Sequence, residues 1–187
     1  MDEKKYFHLR KEDAYLLVVD IQERLMPVIE QNELRVDRSL RMLKAAEEFK
    51  IPGCFTEQYP KGLGPTLPSL KEPGEELGYP FFEKTSFQSV TAEVKEHLQA
   101  SGRKSVIVCG AETHICVYQT VRALLEAGFQ VFIPADAVGS RTPEDRNSGL
   151  QRFREMGACV TVSETLLFEM LEDSKAAEFK AISKLVK

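Results

Sequence analysis

A doubly wound α/β fold, a parallel sheet with helices on both faces, is predicted for this chain by three features. Short apolar runs recur along it, most of them stopping at a turn residue or an acid. The runs are continuous rather than alternating, as strands buried on both faces must be. Between them lie amphipathic stretches with helical spacing, and strand–helix alternation is the pattern of a parallel sheet.

The first run, "AYLLVVD" (14–20), is apolar up to its closing acid. A helix is expected from Asn32, with Val36, Leu40 and Leu43 on one face and Phe49 near its end. "IPGCFT" (51–56) reads as the second strand. The stretch "EQYPKGLGPTLPSLKEPGEELGYP" is dense in Pro and Gly and reads as a long surface excursion, not a linker between domains. "PFFEKTSF" (80–87) is the third strand running into a loop. Ser89 to Ala100 reads as helical through Val90, Val94 and Leu98, until Gly102 stops it. "SVIVCG" (105–110) is the fourth strand, and its helix carries Val117, Thr120, Val121, Leu124 and Leu125 on one side, ending at Gly128. "QVFIPAD" (130–136) is the fifth. Thr142 is expected to cap a further helix, with Pro143 first and Glu144 and Asp145 in its first turn. "ACVTVS" (158–163) is the sixth strand, followed by helical sequence. The expectation is a three-layer, Rossmann-like fold with a mostly parallel six-stranded sheet flanked by helices, in one domain over 1–187.

Composition narrows the function. With 43% hydrophobic and 29% charged residues, the chain has the make-up of an ordinary globular protein. Its net charge of −4 and scattered Lys and Arg give no footprint for nucleic acid or an anionic membrane. No apolar run approaches the roughly 18 residues of a membrane span. The opening "MDEKKYFHLRKED" lacks the apolar core of a secretory signal, so a cytoplasmic location is expected. Cys54, Cys109, Cys116 and Cys159 form no C-x-x-C pair, and no nearby histidine completes a zinc pattern. Three of them lie in apolar segments as small buried hydrophobes; Cys116 instead follows a strand-to-helix turn.

In a doubly wound sheet, ligands bind outside the carboxyl ends of the strands. The reactive side chains expected there are Asp20, Thr56 to Gln58, Lys84, Glu112 to Cys116, and Asp136. Three of these make chemical sense together. If Thr113 is an N-cap, Cys116 sits in a first helical turn, where free amides and the helix dipole favour a thiolate. A thiolate there can attack a carbonyl, and the same amides can hold the resulting oxyanion. Asp20 can take the thiol proton, and Lys84 can keep both groups ionised. Each has a duller alternative: core packing for Cys116, a turn cap for Asp20, a solvated side chain for Lys84. Only their conjunction carries the reading.

These residues resemble the isochorismatase-like cysteine hydrolases, which include nicotinamidases, N-carbamoylsarcosine amidases and isochorismatases. The resemblance runs from "LLVVDIQERL" through "FFEKTSF" to "VIVCGAETHICVYQTVRALLEAGFQVFIPADAVGSR". Its specific elements are the acid and glutamine of "VVDIQ", the lysine of "EKTSF" and the run "GAETHICV". It implies a triad of Asp20, Lys84 and Cys116, an oxyanion hole from the amides of Glu112 and Cys116, and a cis peptide between Ala111 and Glu112. Nicotinamidases place a metal-binding Asp and His cluster after strand two, where this chain has "TEQYPKGLGPT", so no metal is expected. Isochorismatases that cleave a vinyl ether generally lack the nucleophilic cysteine, which is present here.

The resemblance therefore implies hydrolysis of a small amide or related C–N bond through an acyl-enzyme on Cys116. It implies a small-molecule substrate, no organic cofactor, and a homo-oligomer with the helices after strands four and five as contact faces. Gln58, Tyr59, Phe87 and Ile115 are expected to line or border the pocket, from their positions at strand ends alone. Three rival readings stand beside it. A nucleotide-binding module is opposed by "DIQERL" where G-x-G-x-x-G would follow strand one. A catalytically silent oligomeric scaffold, and thiol redox chemistry at Cys116, are the others.

Overall fold

The computed structural model describes residues 7–187. Seven strands form one sheet: β1 (Ala14–Val19), β2 (Gly53–Gln58), β3 (Phe81–Lys84), β4 (Ser105–Ala111), β5 (Gln130–Pro134), β6 (Val138–Gly139) and β7 (Cys159–Thr161). Their order is β3-β2-β1-β4-β5-β7, with β6 paired to β4, and every strand ladder is parallel. The sequence predicts six of them. The seventh, β6, is two residues long and too short to show any hydrophobic period. It takes over from β5 beside the last two residues of β4, pairing Val138 with Gly110 and Gly139 with Ala111.

Among the described residues eight α-helices accompany the sheet: α1 (Asn32–Glu48), α2 (Pro60–Leu63), α3 (Pro68–Glu76), α4 (Ala92–Ala100), α5 (Tyr118–Glu126), α6 (Pro143–Glu155), α7 (Ser163–Leu171) and α8 (Phe179–Leu185). Alternate residues of a strand face opposite sides, so β1 feeds two cores. Leu16 and Val18 pack with α1, α3, α7 and α8, while Tyr15, Leu17 and Val19 pack with α4, α5 and α6. The three predicted layers are present.

Several element details differ from expectation. The buried face of α1 carries Arg35, Ser39, Met42, Leu43, Ala45 and Ala46, and Val36 and Leu40 sit half-buried at its edge. Helix α4 starts at Ala92, because Thr91 rather than Ser89 occupies its N-cap. The Pro- and Gly-rich excursion contains α3, whose Leu70 is fully buried in the core despite Pro73 within the helix. Thr142 caps α6 as predicted, its Oγ1 accepting from the Asp145 amide at 3.1 Å. Among the described residues no helix is long and apolar enough to cross a membrane.

Candidate active site

Strand β1 lies between β2 and β4, so the sheet's winding reverses there and leaves a crevice at the carboxyl ends. Register brings the ends together: Val19 lies opposite Thr56 on one side and Gly110 on the other, and Gln58 lies opposite Lys84. Gly110 has φ +127°, and a Cβ there would fall 1.9 Å from the Val19 carbonyl oxygen. Only glycine allows β4 and β1 to approach so closely. The next peptide bond, Ala111–Glu112, is cis.

The chain then makes a π-helical turn, Thr113–Val117, in which the Val117 amide donates to the Glu112 carbonyl at 3.1 Å. Glu112 thus takes the N-cap position expected for Thr113, whose buried hydroxyl has no hydrogen-bond partner. This wide turn, rather than an α-helical first turn, carries Cys116, which is 7% exposed.

Asp20 follows β1 in a left-handed conformation, φ 53°, and is wholly buried. Its Oδ2 accepts from Lys84 Nζ at 2.6 Å, its Oδ1 accepts from Thr56 Oγ1 at 2.8 Å, and it is hydrogen-bonded to the Cys116 thiol. Lys84 Nζ also donates to Gln58 Oε1 at 2.8 Å and to the Ser86 and Phe87 carbonyls at 3.3 Å. The structure therefore brings Asp20, Lys84 and Cys116 into one buried cluster. Burial raises the carboxyl pKa of Asp20, and Lys84, Thr56 and Cys116 pull it back.

The thiol corrects an expectation. Its pKa is pushed up to about 12, chiefly by burial and then by the negative charge of Asp20. Lys84 and a backbone hydrogen bond at Glu112 act the other way and lose. Burial and the neighbouring Asp20 charge thus work against a free thiolate at this position. A thiol and a carboxyl group so placed can exchange a proton.

The expected pocket residues divide. Tyr59, 55% exposed, lines a cavity of about 520 Å³ with Lys61, Glu83, Lys84 and Thr85. This cavity reaches the cluster through Lys84, and Asp20 and Cys116 lie outside its lining. Gln58 is tied up by Lys84, by the Thr85 carbonyl at 2.9 Å and by Gln22. Phe87 is 54% exposed, and Ile115 packs half-buried against the core beneath α4–α6. At the mouth, Glu112 accepts from Arg141 Nε at 2.8 Å, and His114 Nδ1 lies 3.0 Å from Ser140 Oγ. Glu57 spends a carboxylate oxygen on the Thr66 amide at 2.7 Å. Among the described residues no three His, Cys, Asp or Glu side chains gather as metal ligands would.

Two buried hydroxyls escape the sequence reading. Ser89 Oγ lies 3.1 Å from Thr56 Oγ1, and the Ser89 amide donates to Thr120 Oγ1 at 2.9 Å. Thr120 in turn donates to the Cys116 carbonyl at 2.6 Å. The one available signal was a threonine on the otherwise apolar side of α5.

An α/β sheet whose switch point holds a buried Cys–Asp–Lys cluster defines the class, and sequence comparison defines the family. Residues 14–165 match the isochorismatase domain, and the chain belongs to that family. It is 40% identical over 182 residues to isochorismatase family protein 1A of Dictyostelium discoideum, covering 96% of this chain and 88% of that one. Its fold superposes on a MAR1 ribonuclease from Caenorhabditis elegans with a TM-score of 0.91 and 35% identity, covering 96% and 92% of the two chains. YcaC from Escherichia coli, described as an octameric hydrolase of unknown specificity, superposes with a TM-score of 0.86 and 26% identity, covering 98% and 91%.

Proposed function

We propose that this chain is a cysteine hydrolase acting on a small amide or related C–N bond, with Asp20, Lys84 and Cys116 as its triad. The observation that carries the reading is the buried Asp20 carboxylate, which meets Lys84 at 2.6 Å while hydrogen-bonded to the Cys116 thiol. Cys116 Sγ forms a bond to the substrate carbonyl carbon as its proton passes to Asp20. The carbonyl π electrons move to oxygen, and the backbone amides of Glu112 and Cys116 hold that oxyanion. Collapse breaks the C–N bond, and Asp20 returns the proton to the departing nitrogen. Water then adds to the thioester, giving a proton to Asp20, and the sulfur leaves as the acid product forms. Asp20 reprotonates the sulfur and closes the cycle. Lys84 holds Asp20 in its anionic form before each transfer.

A homo-oligomer is part of the proposal, supported by the octameric state described for YcaC. A second reading, a catalytically silent oligomeric scaffold, is favoured by one observation: the cavity lining stops at Lys84 and omits Cys116. Turnover of a panel of small amides by the wild type and by Cys116→Ala separates the two. An RNA oligonucleotide belongs in the same panel, because the C. elegans neighbour is described as a ribonuclease. Amide turnover lost in Cys116→Ala supports the hydrolase; turnover unchanged in that variant would sink the covalent mechanism. No turnover on any amide, with an intact oligomer by light scattering, would favour the scaffold.

A further inference from the structure

Between the proposed base and the proposed nucleophile runs a second connection, separate from their direct contact. It consists of three hydroxyl side chains, Thr56, Ser89 and Thr120, all shielded from solvent and drawn from β2, the loop before α4, and α5. Buried hydroxyls are retained where each has a partner, and their donors and acceptors fix the direction of the chain. Thr120 spends its proton on the Cys116 carbonyl at 2.6 Å, so its oxygen is free to accept from the Ser89 amide at 2.9 Å. Thr56 spends its proton on Asp20 Oδ1 at 2.8 Å, so at the 3.1 Å contact Ser89 Oγ is the donor. Ser89 therefore gives a hydrogen bond in each direction: from its side chain toward Asp20, from its backbone toward Cys116.

We infer that Ser89 is a positioning residue, which with Thr56 and Thr120 sets the Cys116-bearing turn against the Asp20 carboxylate. The inference rests on the triad reading above, since it concerns the pair taken there to exchange a proton. Two arms do different things. The Thr120 arm grips the backbone of the π-turn, one residue's carbonyl away from the reacting sulfur. A π-turn leaves its backbone groups in a wider ring than an α-turn does, so a side-chain clamp on that carbonyl has a geometric task. The Ser89–Thr56 arm polarises the hydroxyl that Asp20 accepts from, which disperses the carboxylate's charge. Neither arm touches substrate, and neither hydroxyl is a catalytic residue.

The test reads the S–H stretching band of Cys116 by infrared difference spectroscopy, assigned by its loss in Cys116→Ala, and needs no substrate. Thr120→Val removes the clamp while keeping the side chain's shape, and the band is expected to broaden and move toward that of a free thiol. Thr120→Ser keeps the hydroxyl and is expected to keep the wild-type band. Ser89→Ala strips a donor from Thr56, leaves Asp20 a stronger acceptor, and is expected to move the band the opposite way. Val121→Ala, a buried neighbour in α5 without a polar group, serves as the control for loosened packing and is expected to leave the band in place.

If Asp20→Asn leaves the wild-type band unmoved, the thiol is not bonded to that carboxylate and the triad reading fails. If Asp20→Asn moves the band while Ser89→Ala and Thr120→Val do not, the triad stands and the positioning role is overturned. Should Thr120→Val fail to fold, the Ser89→Ala shift decides alone.

Discussion

Lys84 Nζ lies 2.6 Å from Asp20 Oδ2 with both side chains wholly shielded from solvent. Removing one member of such a pair strands the other charge in the interior, which costs about 3–5 kcal/mol. Asp20→Asn and Lys84→Met are each expected to lower stability by that amount in urea unfolding. The double variant leaves no charge behind and is expected to cost less than the sum. Additive losses would show that the two groups are not coupled in solution.

The thiol gives a prediction in which two readouts diverge. Its pKa stands at about 12 because burial and the Asp20 charge outweigh Lys84. Asp20→Asn removes an upward push, so the thiol pKa falls and more thiolate is present at pH 8.5. Lys84→Met removes a downward pull, so it rises further. Alkylation of Cys116 by iodoacetamide, followed by intact mass, should therefore quicken in Asp20→Asn, about tenfold per unit of fall. It should slow in Lys84→Met. Amide turnover should vanish in both, since one lacks the proposed base and the other the cation that keeps that base ionised. Equal alkylation rates in all three proteins would overturn the electrostatic account.

Gly110 marks where packing leaves no latitude. Its φ of +127° suits only glycine, and an added Cβ would sit 1.9 Å from backbone oxygen, not against a side chain that could swing away. Gly110→Ala is expected to cost about 3 kcal/mol or more, beyond ordinary overpacking, because the clash lies between two central strands. Thermal unfolding checks it. A melting temperature within 2–4 °C of wild type, on the order of 1 kcal/mol for a chain this long, would show that β1 and β4 can part without loss.

How much of this was legible follows from what kind of information each residue carries. Asp20, Lys84 and Cys116 close apolar runs or follow them, and the rule for strand ends brings them together without any coordinate. The cis bond at Ala111–Glu112 came with the family resemblance and is present. Strand β6 was not legible, since two residues span a single period of alternation and cannot show a repeat. Nor was the π-turn, because Val117, Thr120, Val121 and Leu124 keep a helical spacing that a single wider ring upstream does not disturb. The upward direction of the thiol's pKa is hidden from the sequence for a different reason. Local features such as a turn and its amides can be read from sequence, but the burial that dominates here is set by α4, α5 and α6 closing over β4. Ser89 and Thr120 form their link across 31 positions, a distance no local pattern spans.

Gln22, the glutamine of "VVDIQ", has a role that the geometry makes testable. It is wholly buried, and its side-chain amide contacts go to the last residue of β2 and to the loop beyond it. Its Nε2 donates to the Gly64 carbonyl at 2.6 Å and the Gln58 carbonyl at 3.1 Å, and its Oε1 accepts from the Gln58 amide at 2.8 Å. Gln58 in turn accepts from Lys84 at 2.8 Å, so Gln22 stands behind the Lys84 ammonium group at one remove. Gln22→Leu keeps the volume and strands buried backbone groups, each worth about 1–3 kcal/mol when unsatisfied. The expected result is a loss of several kcal/mol or, short of unfolding, faster hydrogen exchange at the amides of Gln58 and Gly64 than at β4. Lys84 would then lose a firm neighbour, and alkylation of Cys116 should drift toward the slow behaviour of Lys84→Met. Exchange that quickens equally across the sheet would instead assign Gln22 to global stability, with no particular tie to the site.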